Sequence, residues 1–247
     1  MALAVDHFSR TYSAASGTFT AVDDLSFAVA GGEIVGLIGP NGAGKTTTLR
    51  SIAGILKPTA GVIRIDGHDI VADPIDAKRR LAFMPDEPHL FEYLTVAEHL
   101  RLVARLYGVD EFDRRAAALL DELELTGKEG SLPGELSRGM RQKVVIACGL
   151  VRHATTLLFD EPLTGLDPIG IRRMRNTIAA RAQQGAAILL SSHLLHLVEE
   201  VCSRVIIMDR GRKIADGTCE ELASRADLAA AGSSLEQIFF RVTGHGA

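Results

Sequence analysis

Gly39-Pro40-Asn41-Gly42-Ala43-Gly44-Lys45-Thr46-Thr47 follows the compact apolar run Ile34 to Ile38 and precedes a helix-forming stretch, read from Lys45 to about Leu56. Every fixed position of the pattern G-x-x-x-x-G-K-[ST] is filled. Glycines let backbone amides turn inward around phosphate oxygens, and a helix that starts behind them directs its positive end at the same anion. Lys45 carries the charge to neutralise β and γ phosphates, and the Thr46 hydroxyl is a hard oxygen donor suited to magnesium. The run therefore predicts a strand, a phosphate-binding loop and a helix, in that order.

Downstream, Thr156-Leu157-Leu158-Phe159-Asp160-Glu161 is an apolar strand that ends in two carboxylates. Asp160 suits a magnesium ion or its coordination shell, and Glu161 suits a general base that polarises the attacking water. Around these two points strands and helices alternate. Short strands are expected at Val62 to Ile65, Leu81 to Met84, Ala187 to Leu190 and Val205 to Met208, with helices at Ile171 to Gln184 and Leu194 to Val201. That alternation implies α/β architecture with a mainly parallel sheet covered on both faces. Ala2 to Ala30 alternates apolar and polar residues about a Ser/Gly/Thr-rich turn, which predicts antiparallel strands. From Thr95 to His153, Leu100, Val103, Leu106, Leu119, Leu120 and Leu123 recur at helical spacing, which predicts an inserted helical lobe with a helix at Arg141 to Val151. Asp209-Arg210-Gly211 is expected to close a hairpin onto Lys213 to Ala215.

At 247 residues, with 47% apolar and 23% charged side chains, the chain suits one large globular domain. Its 27 basic and 31 acidic residues leave a formal charge of −4, which disfavours a general nucleic-acid-binding surface. The apolar runs fall short of the roughly 18 to 20 residues that span a bilayer, and the N-terminus lacks a basic start followed by an apolar run. Cys148, Cys202 and Cys219 are odd in number and lack metal-ligand spacing, so reduced thiols of a cytosolic protein are expected.

Leu136-Ser137-Arg138-Gly139-Met140-Arg141-Gln142 resembles the signature loop of ABC transporter ATPases. Other elements follow in that family's order: Tyr12, Pro85-Asp86, Gly165-Leu166-Asp167 and Ser191-Ser192-His193. The tail Ser234-Leu235-Glu236-Gln237-Ile238-Phe239 resembles the ending of type-2 exporter ATPases. The resemblance implies one P-loop, RecA-like ATPase domain over residues 1–247. Residues 1–86 and 154–220 would form the core, 87–153 the helical lobe and 221–247 a tail.

The implied cofactors are ATP and Mg2+. Tyr12 would stack on adenine, Gly39 to Thr47 would hold the phosphates, and Thr46, Asp86 and Asp160 would serve the metal. Ser137, Gly139 and Met140 would meet the γ-phosphate held by an opposite subunit. Lys45, Glu161 and His193 would be catalytic, with His193 opening its helix and holding the geometry of Glu161. The implied partners are a head-to-tail homodimer or paired ATPase subunit and an integral membrane permease, with no nucleic acid. Such a chain is cytoplasmic and peripheral at the inner face of the cell membrane, and couples dimer closure to transport, with export favoured by the tail. Leu90-Phe91-Glu92-Tyr93-Leu94 falls where the family docks a helix of its membrane partner.

Two positions depart from the family pattern. Arg138 stands where glycine is usual, and Asp86 stands where glutamine is usual. The rival reading is a soluble or regulatory ABC-type ATPase that moves no substrate. Against the chromosome and repair branch, only 115 residues separate Lys45 from Asp160, and no heptad run lies between them.

Overall fold

The computed structural model describes residues 1–14, 17–225 and 234–244. The chain begins β1 (Leu3–Ala14), β2 (Gly17–Val29), β3 (Ile34–Ile38), α1 (Lys45–Ile52), β4 (Ala60–Ile65), β5 (His68–Asp69), α2 (Pro74–Arg79) and β6 (Leu81–Met84). Then come α3 (Val96–Tyr107), α4 (Phe112–Glu122), a 3-10 turn at Pro133–Glu135 and α5 (Arg138–Leu150). The remainder is β7 (Thr156–Asp160), α6 (Pro168–Gln183), β8 (Ala187–Ser191), α7 (Leu195–Val201), β9 (Arg204–Asp209), β10 (Arg212–Gly217), α8 (Cys219–Arg225) and α9 (Leu235–Thr243).

Two sheets result. An antiparallel sheet runs β2-β1-β4-β5, and a six-stranded sheet runs β10-β9-β3-β8-β7-β6. In the second sheet every pair from β9 to β6 is parallel, and only the hairpin strand β10 is antiparallel. The expected hairpin is present because Arg210 and Gly211 both take positive φ, 47° and 81°, which matches the twist of a two-residue connection.

Strands β3, β7 and β8 are buried along their whole length, which is why their sequences read as continuous apolar runs. Their side chains still alternate between two cores. Ile34, Ile38, Leu157, Phe159, Ile188 and Leu190 face the helices that follow β6 and the C-terminal helices. Val35, Leu37, Leu158, Ala187 and Leu189 face α1 and the antiparallel sheet. This two-residue period sorts a uniformly apolar strand between two layers. Each fully buried Ile or Leu contributes about 1.5 to 3 kcal/mol of apolar burial, so β3 is a firm anchor for the loop that follows it.

Several boundaries differ from the sequence expectations. Helix α1 stops at Ile52, short of Leu56, because Gly54 turns to φ 65° and the amides of Ile55 and Leu56 both return to the Arg50 carbonyl. Helix α5 starts at Arg138 rather than Arg141, because the Ser137 hydroxyl accepts the Met140 amide hydrogen and caps it. Helix α6 starts at Pro168, three residues early, with Asp167 as its cap. His193 does not open a helix: α7 begins two residues later, at Leu195. Strand β5 and helix α2 lie in a stretch where no periodicity was strong enough to predict them. Helix α3 carries a reciprocal cap, in which Thr95 and Glu98 each accept the other's amide hydrogen.

Candidate functional site

Strand register creates the site. Asp160 on β7 pairs with Ser191 on β8, so two parallel strands end side by side where the chain leaves the sheet. The loop after β3 ends at the same edge, and in open α/β sheets that edge is where ligands bind. Gly44, the cap residue of α1, sits at φ 101°, and a Cβ there would lie 2.6 Å from the Ala21 carbonyl oxygen. Only glycine fits. No side chain caps α1, so its first amides face the loop, as an anion cradle requires.

A cavity of about 670 Å³ opens over this edge. Asn41 to Thr47, Asp86, Asp160, Glu161 and His193 line it, together with Tyr12 from β1. Gly39 and Pro40 lie behind it, and their carbonyls accept from Lys45 Nζ at 2.7 and 3.1 Å. Burial pushes the Lys45 ammonium below its ordinary range, opposed by the charges of Glu161 and Asp160. Burial likewise lifts the Asp160 carboxyl. Hydroxyls of Ser191, at 2.5 Å, and of Thr46 oppose that rise, while the charges of Glu161 and Asp86 add to it.

Glu161 is the most constrained residue of the cavity. Its backbone takes φ 52°, a conformation that costs a non-glycine residue about 1 to 2 kcal/mol. Its amide donates to the Ser191 carbonyl at 3.1 Å, and its Oε2 gathers His193 Nδ1 at 2.9 Å with the hydroxyls of Ser192 and Thr164 at 3.3 Å. Glu161 is mostly buried while the His193 ring is half-exposed. A carboxylate in this position is aimed and immobilised rather than free to rotate.

Tyr12 is partly exposed, and the Arg10 guanidinium lies 4.7 Å from its ring centroid. Phe19, directly opposite Tyr12 across the β1–β2 pair, also lines the cavity. Ser137, Gly139 and Met140 do not line it. They form the capped start of α5, where a Cβ on Gly139 would lie 3.3 Å from the Gly165 carbonyl. Asp86 reaches the cavity wall, but the nearest charge to its Oδ1 is Arg138, at 3.7 Å.

Sequence reading missed Phe19, Thr164, Ser191 and Ser192 as site residues. For the two serines a signal existed: hydroxyls follow directly on an apolar strand that is parallel to the carboxylate strand. Phe19 and Thr164 carry no such signal, because strand pairing and loop curvature alone bring them to the cavity.

A glycine-bearing loop between a buried strand and an uncapped helix, facing a strand-end carboxylate pair, defines a P-loop nucleoside triphosphatase. The ABC transporter family pattern matches residues 22–164. The ATP-binding protein EcsA of Bacillus subtilis (strain 168) is 35% identical over 222 residues, 89% of each chain. The SkfA peptide export ATP-binding protein SkfE of the same organism is 38% identical over 214 residues, 86% of this chain and 87% of SkfE. A solved ATP-binding subunit of an ABC transporter superposes with TM-score 0.92 at 37% identity, covering 98% of this chain and 100% of its own. The chain belongs to the ABC transporter family, among its ATP-binding subunits.

Proposed function

We propose that the protein binds ATP with Mg2+ in the 670 Å³ cavity and hydrolyses it by in-line attack of water on the γ-phosphate. The observation that carries this reading is Glu161, whose backbone takes a strained angle and whose Oε2 is held by four donors in the same cavity that the phosphate loop lines. Glu161 takes the water's proton, His193 fixes the carboxylate, and Lys45 leaves the Gly39 and Pro40 carbonyls to meet phosphate oxygens. Tyr12, with Phe19 beside it, offers adenine a π surface. The donor set fits a hard cation: a buried Asp160 carboxylate, the Thr46 hydroxyl and the Asp86 carboxylate are all oxygen ligands. When bound there, the metal neutralises charge on the β and γ phosphates.

Because Ser137, Gly139 and Met140 lie off the cavity, they complete the site of a second ATPase subunit packed head to tail, and ATP closes that pair. Closure does work on a separate membrane subunit. No helix among the described residues is long and apolar enough to cross a membrane, so that subunit supplies the path. A groove of about 410 Å³ lined by Ile55, Phe83, Leu90, Phe91, Val103 and Tyr107 suits an amphipathic helix. His99 secures its rim, accepting the Phe91 amide hydrogen at 2.9 Å, and Phe91 is 63% exposed; Glu92 and the 89% exposed Tyr93 line a second groove that shares Leu90 with the first. The cassette then sits in the cytoplasm against the inner membrane face. Export is the direction in the name of SkfE and in the tail resemblance.

Two measurements test this. Glu161→Gln should lower ATP turnover by about a hundredfold or more while ATP binding changes little; equal loss of both would reject Glu161 as the base. Glu92→Lys with Tyr93→Ala should release a multi-span membrane protein in a pull-down, and retained binding would move the contact elsewhere.

A further inference from the structure

The two positions that depart from the family pattern meet in space. Asp86, in the loop after β6, and Arg138, the first residue of α5, form an ion pair at 3.7 Å. Neither side chain is well placed alone. A cation at a helix N-terminus opposes the helix dipole, and α5 has no acidic residue in its first turn to offset Arg138. Asp86 supplies that anion from another element. A second contact keeps the two elements in register: buried Gln142 on α5 donates to the Pro85 carbonyl at 2.8 Å.

The pair is also poised between two sites. Asp86 lines the nucleotide cavity beside Asp160, whereas Arg138 stands between Ser137 and Gly139 on the surface outside that cavity. Both side chains are about half-exposed, at 47% and 64%, so the pair is weak and exchangeable. A triphosphate is a stronger anion than one carboxylate, and Arg binds phosphate through a planar, multi-donor fork.

We propose that Arg138 is a phosphate-binding residue for the ATP held by a second copy of this chain, and that Asp86 is its intramolecular competitor. The pair is a latch: it must open for the two copies to close, and its strength sets the ATP concentration at which closure occurs. The inference rests on the paired-subunit reading above.

Monomer and dimer are separated by sedimentation across an ATP series with magnesium, in a Glu161→Gln background that slows hydrolysis. Asp86→Asn removes both a metal donor and the latch, so it is read as a cycle: its effect on the half-saturating ATP concentration should be about threefold more favourable with Arg138 present than in an Arg138→Gly background, the scale of one exposed ion pair. Arg138→Gly should raise that concentration by about tenfold, and Arg138→Lys should keep most of the parent behaviour. If Asp86→Asn has the same effect with or without Arg138, Asp86 acts through the metal and the latch is refuted. An unchanged Arg138→Gly, or an Arg138→Lys as weak as it, refutes the phosphate contact. A Glu161→Gln parent that stays monomeric at saturating ATP refutes the paired-subunit reading itself, and the latch falls with it.

Discussion

His193 Nδ1 lies 2.9 Å from Glu161 Oε2, although 32 residues separate the two in the chain and they end different strands. The contact joins a half-exposed ring to a mostly buried carboxylate. In the proposed mechanism His193 is therefore a positioning residue. His193→Ala should lower kcat by about a hundredfold with KM for ATP changed much less, since a misaimed base loses rate rather than affinity. An equal rise in KM would make His193 a nucleotide-binding residue instead.

The positive φ of Glu161 can be isolated from its chemistry. Glu161→Ala and Glu161→Gly both remove the carboxylate, but only glycine takes the left-handed conformation without strain. Glu161→Gly should be more stable than Glu161→Ala by about 1 kcal/mol, read from denaturant midpoints at constant m-value. A more stable alanine variant would show that the backbone relaxes on substitution.

Asp160 predicts a pH dependence of stability. Burial holds its carboxyl above the ordinary range, so the folded state binds that proton more tightly than the unfolded chain does. The contribution to stability is fully present below the ordinary aspartate value of about 3.9 and is lost as pH rises through the raised one. Asp160→Asn is neutral throughout. Without nucleotide, its melting temperature should gain on the parent as pH rises from about 4 to about 7; a constant difference would mean that Asp160 titrates normally.

Tyr12 and Phe19 face the same cavity from paired strands. Tyr12→Ala should weaken ATP binding by about 1 to 3 kcal/mol and Tyr12→Phe by much less, because the π surface and not the hydroxyl meets the base. Calorimetry with ATP and with inorganic triphosphate separates the two. Triphosphate binding should be indifferent to Tyr12.

Burial raises the Cys148 thiol to about 12 and the Cys202 thiol higher still. Neither forms appreciable thiolate near neutral pH. Both should resist iodoacetamide in the folded protein and react at once in denaturant, followed by mass spectrometry. Rapid alkylation of the native chain would mean that these sites open locally.

Gly39 to Thr47 and the strand ending at Asp160-Glu161 carried the phosphate chemistry, because each is a local pattern whose spacing is set by backbone geometry. Ile34 to Ile38 and Thr156 to Phe159 are legible as apolar strands for the same reason. Helix starts at Arg138 and Pro168 were missed by three residues, since caps from Ser137 and Asp167 draw in residues that no apolar period marks. The exposure of Phe91 and Tyr93 and the presence of Phe19 at the cavity depend on packing between distant segments.

The amino-acid order by itself determined that this chain builds a phosphate cradle and a carboxylate strand in an α/β fold, because those features follow from neighbours in the chain. Tertiary structure alone decided that β8 lies beside β7, and so brought Ser191 to Asp160 and His193 to Glu161. It alone paired Asp86 with Arg138, turning two separate departures from a pattern into one contact. The reason is physical: strand register and the seating of α5 are set by burial of apolar faces spread over the whole chain, and no local stretch contains that information.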